Sequence, residues 1–401
     1  MINTSKLHEL HAIRGWAALL VVIAHSKYPF WSGGVAYLEK FPRSTWGLLD
    51  YLVFGINMLS SVGGIFVICF FVLSGFFIAR SLKTNRNVFF FYSHRLIRIY
   101  IPVLGSLMAA YFLMEMAHYL NEPLFSLSNT GRTYNDSIVI AYNHDLSWQS
   151  FISTLYFNPS DGFGFFGFNS PLWSLFCEMI FYVSIPFMTR KFLFISVAIL
   201  LHIVSLFISY EFVSMASYTH YALYFAMGYF LYEILSSQYA DKVKNIVLKN
   251  TNLIVISSFV FLFLSIALGL FHFEKFKDDM AMLSTILFML WILLGKKTSM
   301  FVWAKRIVVN RASKFLGKIS FSLYLTHLPL MLLLYSLLNI FSGEIVYYNS
   351  IYWLTLFFTI PFSYVFFRVF EQPSMTLLKW HKSLYLVNPE KGKSGLVDKT
   401  S

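Results

Sequence analysis

Charge is what this 401-residue sequence lacks: Asp, Glu, Lys and Arg make up 12% of it, about half the share of an ordinary soluble chain. Apolar residues fill 57%. Such a chain would expose large apolar patches in water, so most of its surface is made for lipid. A soluble enzyme and a disordered tail protein are both excluded. Cysteine is nearly absent: Cys69 and Cys177 are the only two, far apart and each in an apolar run. That excludes a disulfide-stapled module and says nothing of redox compartment. There is no P-loop, no H-E-x-x-H pair, no CxxC pair and no G-x-S-x-G elbow, so metal is not indicated. Neither an internal repeat nor a low-complexity tract is found.

What is present is long apolar runs. A spanning helix needs about 20 mostly apolar residues. Ten stretches read as spans: Ala12–Phe30, Val62–Leu82, Ile99–Leu120, Leu172–Met188, Phe192–Tyr210, Tyr218–Ser236, Leu253–Phe273, Met280–Leu294, Ile319–Ile340 and Ser350–Phe370. A further apolar piece, Leu48–Ser60, reads as an interfacial or re-entrant helix. The first run has no A-x-A-like exit and is not read as a cleaved signal peptide. The expected fold is an all-α polytopic membrane bundle, with 1–373 as the membrane domain and 374–401 as a polar cytoplasmic tail.

The net charge of +12 is explained by sidedness. Most Lys and Arg fall in Arg80–Arg98, Lys242–Lys249, Lys296–Lys318 and from Arg368 to the end. Basic loops stay inside, which puts both termini in the cytoplasm, as in a bacterial cytoplasmic membrane. The same distribution argues against nucleic acid, because the basic residues are not gathered into one module. The longest polar interruption, Asn121–Ser170, faces outward and carries many aromatics.

Ionisable groups inside spans cost about 2.5–3.5 kcal/mol each on insertion scales and by default point to function. Arg14 and His25 share the first span. Eleven residues return the chain to nearly the same helical face, about 16 Å further along. They fit an interfacial anchor at each end, or a paired site. Arg95 and Arg98 lie on one face at the mouth of the third span. They fit positive-inside anchoring, or an anion held between them, and guanidinium groups suit phosphate. Glu178 sits inside a span and needs a partner. It fits a structural ion pair, or a carboxylate that orients a histidine for general-base work. His327 is intramembrane, with Pro329 just after it. It fits a packing histidine bonded to a carbonyl, a ligand, or a second acid/base. Ser74-Gly75 and Gly63-Gly64 suit close helix approach.

These elements, in this order, resemble the acyltransferase-3 family of integral membrane O-acyltransferases. Leu10-His-Ala-Ile-Arg14 through His25 resembles the family's first span. Phe70-Phe-Val-Leu-Ser74-Gly75-Phe-Phe-Ile78 and Arg95-Leu-Ile-Arg98 with Pro102 follow. Trp173-Ser-Leu with Glu178 and Phe181-Tyr182 is similar to its W-S-L-x-x-E-x-x-F-Y block. Ile319 through His327-Leu-Pro329 resembles its late span. Two places depart: His11 and Ile68 stand where the family often has acidic residues.

The resemblance implies transfer of an acyl group, usually acetyl, from cytoplasmic acetyl-CoA to a hydroxyl of an extracytoplasmic glycan such as O-antigen, capsule or exopolysaccharide. It implies His25 as general base or acyl carrier and Glu178 as its catalytic partner. Arg14, Arg95 and Arg98 would bind the donor. His327, Trp173 and Ser74 would be supporting or substrate-contacting residues. The rival class is a proton-coupled transporter or flippase of an envelope precursor, since intramembrane Arg, His and Glu also suit a carrier.

Overall fold

The computed structural model describes residues 4–31, 33–84, 88–126, 133–158, 164–184, 190–207, 215–297, 302–342, 353 and 355–387. Every regular element among them is helical. A helix satisfies its own backbone polar groups, which is what an apolar chain in lipid requires. In chain order the helices are α1 (Thr4–Phe30), α2 (Gly34–Lys40), α3 (Leu48–Leu59), α4 (Gly64–Thr84), α5 (Val88–Leu120), α6 (Glu122–Ser126) and α7 (Thr133–His144). There follow α8 (Trp148–Leu155), α9 (Trp173–Val183), α10 (Lys191–Phe207), α11 (Met215–Leu235), α12 (Ala240–Lys249) and α13 (Thr251–Leu270). The last are α14 (Glu274–Leu294), α15 (Val302–Val308), α16 (Arg311–Lys318), α17 (Ser320–Ser342), α18 (Thr355–Phe366) and α19 (Gln372–Val387). A π-helical turn, Phe367–Glu371, joins α18 to α19.

The chain is a multi-pass membrane protein, helical in every regular element described. Among the described residues five helices are long and apolar enough to cross a bilayer: Lys6–Phe30, Gly64–Lys83, Phe89–Leu120, Thr251–Leu270 and Ser320–Phe341. The expected spans Leu172–Met188, Phe192–Tyr210 and Ser350–Phe370 lie partly outside the described residues; their described parts are α9 with 11 residues, α10 with 17 and α18 with 12. α14 begins with Lys277, Asp278 and Asp279 among its early residues, and α11 is rich in Tyr, His and small polar side chains. Leu48–Ser60 is the helix α3, whose leucines are largely exposed. Beyond 373 the chain continues as α19, which packs on α5 and buries Leu378.

Two glycine contacts set the helices that matter most. A Cβ on Gly75 of α4 would lie 2.0 Å from the Phe225 carbonyl oxygen, and one on Gly228 of α11 1.9 Å from that of Val72. The pair lets α4 and α11 meet backbone to backbone. Gly15 of α1 and Gly317 of α16 meet in the same way, against the Ser313 and His11 carbonyls. Ser74 and Arg14 are the chain neighbours of two of these glycines, so both are carried on backbone that is fixed by direct contact. α1 packs also on α4 and α17, and α17 on α5 and α18.

Candidate active site

The helices α1, α4, α5, α9 and α17 enclose a cavity of about 540 Å³. Its walls change character along its length. One end carries His11, Arg14, Arg80, His94, Arg95 and Arg98. Further along, the lining is Val21, Val22, Phe70 and Phe71, and it reaches Tyr324 and His327. This polar-to-apolar gradient follows from the sequence: Arg14 lies low on α1, and the apolar residues Val21 and Val22 lie two turns higher on the same face.

The basic end is short of counter-charge. Among the described residues no carboxylate lies within ion-pair distance of Arg14, Arg95 or Arg98. Arg95 instead lies over the rings of Phe91 and Tyr182, at 5.2 and 5.5 Å from their centroids. Arg14 and Arg98 repel each other, and the carboxylates whose field reaches Arg14 are Glu371 and Glu178. Gathered guanidinium groups with so little opposing charge are costly in a low-dielectric setting unless an anion joins them.

Glu178 does not meet His25. It accepts hydrogen bonds from Ser74 Oγ, at 2.8 Å, and from the Tyr182 hydroxyl. The reason is topological: α9 packs mainly on α4 and α11, so Glu178 faces the basic part of the cavity. Its bonds hold the Tyr182 ring under the Arg95 guanidinium. Trp173 stands behind the cavity wall, packed against Phe71 and Tyr221 with centroids 6.4 and 5.4 Å away.

The partner of His25 is His327. His25 Nδ1 and His327 Nε2 are 2.8 Å apart, with the rings nearly coplanar at 3°. His327 is fully buried, and its Nδ1 lies 3.0 Å from the Leu323 carbonyl oxygen. A carbonyl only accepts, so His327 Nδ1 carries the proton. The neutral His327 then offers a lone pair at Nε2, and His25 must donate from Nδ1. What remains on His25 is an unprotonated Nε2 on the far side of its ring. His327 lines the cavity; His25 does not, and is half-buried behind it. The pair therefore forms the end wall of the cavity.

The structure brings Arg14, Arg95, Arg98, Glu178, Ser74 and His327 to one cavity, with His25 behind its wall. Sequence reading missed Glu371, which accepts from both the backbone N–H and the hydroxyl of Ser322 at the start of α17. An acid ending an apolar run among basic residues was the available signal. It also missed Asn169, fully buried, whose Nδ2 donates to the Leu325 carbonyl at 2.9 Å. Cys69 and Cys177 are not joined by a disulfide.

Fold and cavity together describe a membrane-embedded protein whose helices enclose a pocket with arginines and apolar side chains in its walls. The profile of a family described as an acyltransferase domain matches residues 7–368, and the chain belongs to that family, acyltransferase-3. Neither the curated proteins nor the solved structures gave a significant match.

Proposed function

We propose that this acyltransferase moves an acetyl group from cytoplasmic acetyl-CoA to a hydroxyl of a cell-surface glycan on the other side of a bacterial cytoplasmic membrane. The observation that carries the reading is the cavity itself. Arg14, Arg95 and Arg98, with no carboxylate in ion-pair distance among the described residues, stand at one end, and an imidazole pair closes the other with a basic nitrogen facing away. The phosphates of the donor pair with Arg95 and Arg98, and Arg14 meets a phosphate or the polar start of the pantetheine arm. The arm runs along Val21, Val22 and Phe70, and carries the thioester past His327 to the far edge of His25, beside its Nε2.

His25 Nε2 takes the proton of the glycan hydroxyl as the oxygen attacks the thioester carbon. The C–O bond forms and the C–S bond breaks. The thiolate leaves and recovers a proton, so the products are the ester and free CoA. His327 holds His25 in the required tautomer, as an orienting group does in a nucleophile–base–orienter arrangement. Glu178 serves the donor end by fixing Tyr182 and Ser74. General-base removal costs typically 10²–10⁴-fold in rate.

The test compares surface polysaccharide from cells with and without the gene, by mass spectrometry and proton NMR before and after mild base. A base-labile acetyl per repeat unit, absent without the gene and absent with His25→Ala protein at normal membrane abundance, is the expected result. No ester difference in cells that make the glycan normally would overturn the glycan reading.

A further inference from the structure

α17 contains a proline, Pro329, two residues beyond His327. Proline has no N–H, so the carbonyl four residues earlier, that of Leu325, has no helical donor. A bare carbonyl at this depth is costly, and it sits two residues from the Leu323 carbonyl that fixes the His327 tautomer. The Leu325 carbonyl is not bare. Asn169 Nδ2, from the segment just before α9, donates to it at 2.9 Å. The bond also settles which way the amide faces, since the opposite flip would set two oxygens together.

Three features mark Asn169 as more than filling. It is fully buried. Its Oδ1 has no hydrogen-bond partner among the described residues, a cost that an apolar residue of similar size would not carry. And the backbone that delivers it is held in an unusual shape. Phe168, its predecessor, has φ of 61°, rare for a bulky residue. Gly167 has φ of 64° and sits so close to α5 that a Cβ would lie 2.6 Å from that of Ala110. Upstream, Gly164 N–H donates to Asp145 Oδ1 at 2.7 Å and Phe166 N–H to Thr154 Oγ1 at 2.9 Å. The segment is anchored so that one amide reaches one carbonyl.

We propose that Asn169 is a positioning residue that supplies the hydrogen bond Pro329 removes, and thereby holds the turn of α17 on which His327 orients His25. Asn169 and Pro329 act as one unit: the proline breaks the ladder beside the histidine, and the asparagine mends it from outside the helix. The inference rests on the reading that the His25–His327 pair does the chemistry.

The test uses the full-length protein in detergent, with Asn169→Ala, Pro329→Ala and the double variant. The rate of His25 carbethoxylation by diethyl pyrocarbonate is read peptide by peptide in a mass spectrometer, beside thermal unfolding and acetyl transfer. Carbethoxylation reports the basicity and setting of the His25 nitrogen without any natural substrate. Asn169→Ala should slow it and lower kcat about tenfold or more, with little change in donor KM, because misplaced groups lose rate steeply. In the Pro329→Ala background, where a backbone N–H again serves Leu325, the same asparagine change should cost little in either readout. Equal cost in both backgrounds overturns the inference. If Pro329→Ala does not fold, Asn169→Leu decides: it keeps the size and has no donor, so it should match Asn169→Ala, and native carbethoxylation with it would sink the idea. Loss of glycan esters as a function of this protein is judged separately. Carbethoxylation that follows the pattern in a protein that acetylates no glycan would leave Asn169 in place and remove the function.

Discussion

Two polar clusters are buried in this apolar molecule, and they are built on opposite plans. One lines the cavity. The other lies where α10, α11 and α14 meet. There His202 Nε2 is 3.1 Å from Asp279 and His220 Nε2 is 3.2 Å from Asp278. Tyr224 lies within 3.2 and 3.3 Å of His220 and Asp279. The His202 and His220 rings stack at 5.0 Å. In this cluster each imidazole has its own carboxylate. At the cavity, arginine outnumbers acid, and the acid in its lining, Glu178, is bonded to hydroxyls. Ionisable residues inside a membrane protein thus do not mark a site by their presence alone. The site is where charges of one sign border open space.

That contrast can be broken or sharpened. The largest effect expected in it is on the cavity side. Removing both guanidiniums, Arg95→Ala with Arg98→Ala, should raise the donor KM about 100-fold, since charge-assisted bonds are worth roughly 1.5–3 kcal/mol each. Donor titration of the acetyl-transfer rate measures it, and an unchanged KM would erase the distinction between the clusters. Next is Asp278→Asn, which leaves a buried imidazole facing an amide. Breaking a buried pair from one side costs about 3–5 kcal/mol, so thermal unfolding in detergent should fall by several degrees while donor KM stays put. A KM rise without a loss of stability would make the second cluster a site as well.

The smallest effect lies outside both clusters. Burial pushes the Asp145 carboxyl up to about 6, against the pull of the Gly164 N–H. The folded protein thus favours the protonated form. The stability from this group is present below the usual carboxylate value of about 4 and is lost as pH rises through 6. Asp145→Asn should flatten the melting temperature between pH 4 and 6 by a few degrees, and an unflattened profile would remove Asp145 from the account.

The class of fold was legible from composition, because a chain this poor in charge has few ways to hide its backbone other than helices. The number of crossings was less so. Hydropathy reads α9 and α14 as spans, yet the end of the first lies outside the described residues and the second carries Asp278 and Asp279 in its early turns, whose histidine partners come from α11 and α10. Arg95 and Arg98 were readable as a pair because i, i+3 spacing is local. The His25–His327 bond was not, since 302 residues separate its ends. Glu178 was assigned to the wrong neighbour for the same reason: a span shows that a carboxylate needs a partner and not which helix brings it. Asn169 gave only a faint signal, a proline near a histidine whose freed carbonyl must be served from somewhere.

The tautomer chain has a consequence for the cell's energy supply. The cavity borders His327 on one side, and His25 is half-buried behind it. Two imidazoles in line are good conductors of protons, and a membrane that leaked here would drain its own gradient. The Leu323 carbonyl prevents this. It holds the His327 Nδ1 proton and has none to pass on, so a proton taken up at His25 has no continuous path of exchangeable partners through the wall. The pair can trade a proton with a substrate on one face and remain an insulator between the two.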